Sequence, residues 1–262
     1  MAVYNERVRW QALAVVLGGC GFHGATVGDA TEPRDAPARD AEVMDAAGDA
    51  TLVDALAAPI ALRQINDASS GTNIGAITVK FAQAQQAGDL NVVVVGWYMA
   101  GAVASVVDTS GNAYAIAAGP AIAAPESQLV YYKCGIAAAA ANANAVTVTF
   151  AGATQQPDVH AIEYSGIRST ACLDTAVSAT ASGAAMDVGP LATTHAHDLL
   201  VAATFQTGRT TAADPAYVNR GIDGFGDLVE DREVAATGSF HALATQDTSA
   251  AWVMQLVAFE GM

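Results

Sequence analysis

The sequence predicts an all-β protein: a two-sheet antiparallel β-sandwich, jelly-roll-like and built from two related halves, behind a disordered N-terminal tether. Three observations predict it. From Ile60 onward, short segments rich in Val, Thr, Tyr and Phe are punctuated by Gly, Asp, Asn and Ser clusters, roughly every ten residues, as sandwich strands are by their turns. Some of these segments alternate strictly, as Val146, Val148 and Phe150 do with the intervening threonines, which puts one face on a core and the other in water. Finally, "AGDLNVVVVGWY" is echoed by "AHDLLVAATFQTG", with Asp89-Leu90 matching Asp198-Leu199, and "VHAIEYSG" by "MQLVAFEG". Such an echo is the mark of an internal repeat.

The chain begins differently. Arg7 and Arg9 precede an apolar run over residues 10–17, broken only by Gln11, and Leu17-Gly18-Gly19-Cys20 follows. The run is far shorter than the roughly 20 residues of a membrane span, and its length suits a signal-peptide core. Residues 1–19 resemble a bacterial lipoprotein signal peptide ending in a lipobox; the alternative is an ordinary buried segment with a chance cysteine. The resemblance implies that Cys20 is lipidated and becomes the mature N-terminus. It also implies a protein that is exported and held in the membrane by its acyl chains. Gly21, in place of an aspartate, implies sorting to the outer membrane or cell surface.

Residues 20–58 carry Asp29, Asp35, Asp40, Asp45, Asp49 and Asp54 among Ala, Pro and Gly. With little to bury and like charges in series, this stretch is expected to be disordered. It resembles the Asp/Ala/Pro-rich tethers of lipoproteins from high-GC bacteria. A calcium loop needs ligands at alternating positions and a turn glycine, and the aspartates do not follow that pattern.

Residues 59–262 form the module. Residues 90–98 are apolar on both faces apart from Asn91 and read as a central strand. "VVDTSGNAY" carries a turn in which Asp108 caps and Gly111 takes a positive φ, so residues 102–107 and 112–117 are expected to pair as a hairpin. Residues 136–145, Ala-rich but uncapped, make at best a marginal helix and read as a turn or one helical turn between two strands. "DGFGD", residues 223–227, is a second turn between "YVNRGI" and "LVEDREV". Together with "VTVTFAG" and "EYSGI", these motifs resemble an uncharacterised bacterial export module found alone on lipoproteins or beside immunoglobulin-like and fibronectin-like repeats. That resemblance concerns fold and carries no activity.

Chemistry is harder to find. A net charge of −15, with lysine only at 80 and 133, repels phosphate backbones and argues against nucleic-acid partners. Cys134 and Cys172 are left over once Cys20 is acylated. They either pair as a disulfide, as export favours, or sit as two separate small core residues. His195 and His197 are two apart and His160 and His241 lie elsewhere, but the pair precedes a strand and reads as a solvated loop, so no metal and no cofactor is expected. Asp227, Glu230 and Asp231 form the densest charge cluster of the module. Glu230 and Asp231, adjacent on a strand, point to opposite faces and cannot act as a glycosidase pair; the reading is a charged strand that guards a sheet edge. Sugar stacking needs exposed rings, for which Trp97, Tyr98, Tyr131, Tyr132 and Tyr217 are the candidates, Tyr217 being the one expected on a loop. No nucleophile elbow, HExxH motif or phosphate loop occurs in the sequence. The functional expectation is a lipid-anchored envelope or surface protein with a non-catalytic binding or structural module, the candidate partners being a glycan or another envelope protein. The alternative is a polysaccharide-active enzyme or carbohydrate-binding module.

Overall fold

The computed structural model of the chain describes residues 58–99 and 101–262. The signal segment, Cys20 and nearly all of the expected tether lie outside the described residues. Thirteen strands follow in chain order. The first seven are β1 (Ala61–Ser69), β2 (Ile74–Lys80), β3 (Leu90–Tyr98), β4 (Val103–Asp108), β5 (Ala115–Ala123), β6 (Glu126–Lys133) and β7 (Ala145–Ser165). The remaining six are β8 (Leu173–Ala192), β9 (Asp198–Gln206), β10 (Thr210–Ala213), β11 (Val218–Ile222), β12 (Leu228–Val234) and β13 (Ser239–Glu260). They make two antiparallel sheets, of seven and six strands, in a jelly-roll-like sandwich.

Each half of the chain builds one sheet, and the two sheets share one plan. The first runs β1-β7-β3-β6-β5, with β2 and β4 joined to the front part of β7. The second runs β10-β13-β9-β12-β11, with β8 along the whole of β13. Thus β8 takes the place of β1 plus β2, β9 that of β3, β10 that of β4, and β13 that of β7. The echo in the sequence falls in register: Leu90 faces Tyr164 across β3–β7, and Leu199 faces Phe259 across β9–β13.

β7 and β13 are long because each serves two layers. The first part of β7 lies between β2 and β4, and its last part between β1 and β3, with Gln156 in a left-handed conformation (φ 47°) at the bend. The outer part folds over the sheet and covers it. β3 is therefore buried on both faces, which is why it is apolar all round. Leu90, Val92 and Val94 meet Val201, Ala203, Val257 and Phe259 of the second sheet in a central core. Val93, Val95 and Trp97 meet Ile77, Val79, Val146, Val148 and Phe150 of the cover. β9 is treated alike, with Leu200 and Ala202 turned away from the seam into a third core with Val188, Ala242, Met254 and Leu256. Asn91, the lone polar residue of β3, is satisfied within the first half: it accepts from Gln85 Nε2 (2.9 Å) and donates to Tyr114 Oη (3.0 Å).

The expected hairpin over residues 102–117 is corrected. Its turn forms as read: the Asp108 carboxylate accepts the Ser110 and Asn112 N–H groups, and Gly111 has φ 77°. The flanking strands, however, part company. β4 joins β7 in the cover and β5 joins β6 in the main sheet, leaving one bridge, Val107 to Ala113. The turn thus carries the chain between layers. The second turn does make a hairpin, β11–β12, and residues 136–144 form an irregular connection with one bridge, Gln85 to Ala139, and no helix.

Candidate functional site

The aromatic candidates do not form a platform. Trp97, Tyr131 and Tyr217 are buried. Tyr217 does sit in the turn before β11, but its ring packs into the third core with the Arg232 guanidinium 6.0 Å above it. Tyr98 packs on Phe205 and donates to the Gln206 carbonyl (2.9 Å); Tyr132 packs on Phe259. Trp97, Tyr131 and Tyr217 thus have no free face, and Tyr98 and Tyr132, half-buried, are each engaged with a phenylalanine of the second sheet. Cys134, at the end of β6, and Cys172, just before β8, are joined by a disulfide that ties the two halves together.

The acidic cluster is also corrected. β12 is not an edge: it lies between β9 and β11, and Asp227, Glu230 and Asp231 are all buried. Each has its own surroundings, because alternation sends Asp227 and Asp231 toward the seam and Glu230 away from it. Glu230 accepts the Asp214 N–H (3.0 Å), and burial pushes its carboxyl up to about 8. Asp231 accepts Tyr164 Oη across the seam (2.8 Å) and Arg220 Nε from β11 (2.7 Å). This trio lines a small cavity of about 170 Å³ with Ile60, Leu62 and Leu199. Within the trio the Asp231 and Arg220 charges neutralise each other, and Glu233 also lines the cavity.

Asp227 belongs to a second patch on the same seam. Asp158 and His160, two apart on β7, share the face turned toward the second sheet, and Asp223 begins the β11–β12 turn. Ligand atoms of Asp158, His160 and Asp223 all lie within 4.8 Å of one another. Asp158, His160 and Asp227 are 2%, 4% and 1% exposed, while Asp223 is half-buried. His160 Nε2 pairs with Asp158 Oδ2 at 2.8 Å. Asp158 Oδ1, Asp223 Oδ2 and Asp227 Oδ2 have no hydrogen-bond partner. Their other oxygens are partly committed: Asp223 Oδ1 accepts the N–H groups of Phe225, Gly226 and Asp227 at 2.7–2.9 Å, and Asp227 Oδ1 accepts that of Gln206 (3.2 Å). Burial, and then the Asp158 charge, pushes the Asp223 and Asp227 carboxyls up, Asp227 well above the usual range. Burial opposes a charge on His160, but Asp158, Asp223 and Asp227 outweigh it and push the ring up to about 9.

A third group lies nearer the surface. His195 of the loop before β9, its side chain 44% exposed, stands 3.3 Å from Asp174 Oδ1 and 3.4 Å from Glu260 Oε2. Asp198 is fully buried with both oxygens unpartnered; burial and the adjoining Asp174 push it up to about 7. Burial also works against Asp174, but hydrogen bonds from Thr194 hold its carboxyl below the usual range. His197 turns away to Glu233 (2.7 Å) and His241 to Asp187 (2.8 Å), so the four histidines do not assemble.

The outward surface offers an apolar hollow of about 360 Å³, lined by Met99, Gly101, Ile122, Ala124, Pro125 and Ser127. Met99 and Ile122 are among the most exposed large apolar residues described. Sequence reasoning missed Asp158 and Asp223. The signal for the first was "DVH", two ligand types at strand spacing; nothing in the sequence aims it at the "DGFGD" turn. No protein-family model, curated protein or solved structure matches the chain.

Proposed function

We propose that the chain is a lipid-anchored protein of the bacterial envelope whose β-sandwich is a non-catalytic binding or structural module. The observation that carries the binding reading is a separation of surfaces. Most groups with displaced protonation are buried in the seam or against the sheets, the Asp174–Asp198 pair beside His195 lying nearer the surface, whereas the accessible hollow at Met99, Ile122 and Pro125 is lined without a titratable side chain. A concave, mostly apolar site with a little polarity is suited to holding a partner rather than to proton transfer. The Cys134–Cys172 disulfide supports a location outside the cytoplasm, in keeping with lipidation at Cys20 and a tether over residues 20–58.

The test is a screen of the full chain against glycans, cell-wall polymers and solubilised envelope proteins. Binding should weaken at least tenfold with Ile122→Asp, which places a charge in the hollow. Binding indifferent to that change would overturn the assignment of the hollow. Intact mass of the protein from its native host should show residues 1–19 removed and acyl chains added at Cys20. A second reading, a polysaccharide-active enzyme, draws on the Asp174–Asp198 pair beside exposed His195. Release of reducing sugar that stops with Asp198→Asn would favour it.

A further inference from the structure

We propose that Asp158, His160 and Asp223 hold a divalent transition-metal ion, Zn²⁺ being the type, in the seam between the two sheets, with Asp227 completing the donor set. The site would clamp β7 of the first half to the β11–β12 turn of the second, a role independent of what the outer hollow binds.

Two independent observations carry this. The first is convergence: three side chains from two distant parts of the chain bring a ring nitrogen and carboxylate oxygens within 4.8 Å of one another. The second is vacancy of bonding. Asp158 Oδ1 and Asp227 Oδ2, both on side chains more than nine-tenths buried, find no hydrogen-bond partner, nor does Asp223 Oδ2. Buried polar atoms are nearly always paired, and buried charges need a counter-charge. Three carboxyls share one imidazole here, and its Nε2 pairs with Asp158 alone, at 2.8 Å. Carboxylates gathered around one imidazole, each with an oxygen to spare, are arranged as ligands around a common point are.

The donor chemistry selects the ion. Nitrogen with carboxylate oxygen suits Zn²⁺, Mn²⁺ and their neighbours. Ca²⁺ and Mg²⁺ prefer oxygen throughout. The supporting contacts are of the kind that orients ligands. The three N–H groups on Asp223 Oδ1 and the Gln206 N–H on Asp227 Oδ1 fix each carboxylate while leaving its second oxygen free. Asp223, half-buried on a turn, gives the ion its way in. The seam carries its own comparison: Asp231, equally buried, takes both the Tyr164 hydroxyl and the Arg220 guanidinium on Oδ2.

The experiment uses the full chain with Cys20→Ser, so that no free thiol contributes, stripped with EDTA and titrated with ZnCl₂ by calorimetry and thermal melting. One ion should bind per chain, with a heat that depends on the buffer because the site releases protons. The melting midpoint should rise by about 5–10 °C at free Zn²⁺ a hundredfold above Kd. Asp158→Asn and Asp223→Asn should each weaken binding at least tenfold, and Asp174→Asn, in the more exposed cluster, should leave it unchanged. Absence of saturable Zn²⁺ binding to the unmutated site overturns the proposal without recourse to any variant. So does Ca²⁺ or Mg²⁺ binding as tight as Zn²⁺, or loss of binding in Asp174→Asn rather than Asp158→Asn.

Discussion

Two polar patches sit on one seam, both facing inward from β7 and the β11–β12 hairpin, and they are built on opposite principles. Around Asp231 a single carboxylate meets a tyrosine hydroxyl and a guanidinium. Around Asp158 three carboxyls meet one imidazole, and three carboxyl oxygens are left without partners. The burial is the same, so the difference lies in how many charges are answered. Low dielectric strengthens a complete network and penalises an incomplete one in equal measure. The first patch therefore ties the halves together through neutralised charge, whereas the second leaves buried carboxyl oxygens unanswered by the chain.

The largest consequence falls on the complete patch. Asp231→Ala leaves Tyr164 Oη buried without an acceptor and Arg220 without its anion, and should cost about 3 kcal/mol, read as a lower denaturant midpoint at unchanged slope. A loss under about 0.5 kcal/mol, the size of an ordinary surface substitution, would erase the contrast between the patches.

Acidity tests the incomplete one. His160 binds its proton more tightly folded than unfolded, up to about 9. Outside the patch, burial does the same for Asp89, Asp198 and Glu230, up to about 6, 7 and 8. For each group the folded state holds more protons across its window, so stability is full below that window and is lost as pH rises through it. Without metal, stability should fall by several kcal/mol between pH 5 and 9, measured by denaturation at fixed ionic strength. Asp174 works in the opposite sense, its contribution being lost in acid. Saturating Zn²⁺ should hold up the alkaline end of the curve.

Geometry gives a smaller effect. Gly96 pairs with Asp158 across β3–β7, and a Cβ there would run into the Phe205 ring of the other sheet. Gly96→Ala should cost about 1.5 kcal/mol by overpacking. It should also weaken Zn²⁺ binding more than it disturbs the Tyr164–Asp231 contact, which chemical shifts of Tyr164 would report.

What could be read from the sequence was whatever depends on near neighbours. The two-faced strand at Leu90–Tyr98, the alternation at Val146, Val148 and Phe150, the turns at Asp108 and Asp223, and the Asp-Leu echo all state their own environment. What failed depends on who lies alongside. The Asp108 turn was legible, but not that β4 would leave for β7. The charge of β12 was legible, but not that β9 and β11 would flank it, which turned an expected edge guard into buried chemistry. Tyr217 was placed on its turn correctly, but not its ring beneath Arg232. The Asp158 patch failed most completely, since its members come from opposite halves and only the stacking of the sheets brings them together.

That patch also supplies the finest discrimination between the two designs. Asp227→Asn removes one of the competing carboxyls while keeping an oxygen for the Gln206 N–H, and its new amide can donate to a neighbouring carboxylate. In EDTA at pH 8 the change should stabilise the fold by about 1 kcal/mol, the relief of one unanswered buried acid. With Zn²⁺ present the same change should lower the melting midpoint, because a donor has been lost. The sign reversal is what matters. A substitution that destabilises the apo protein as Asp231→Ala does would mean that Asp227 is answered after all, and that the two patches are alike.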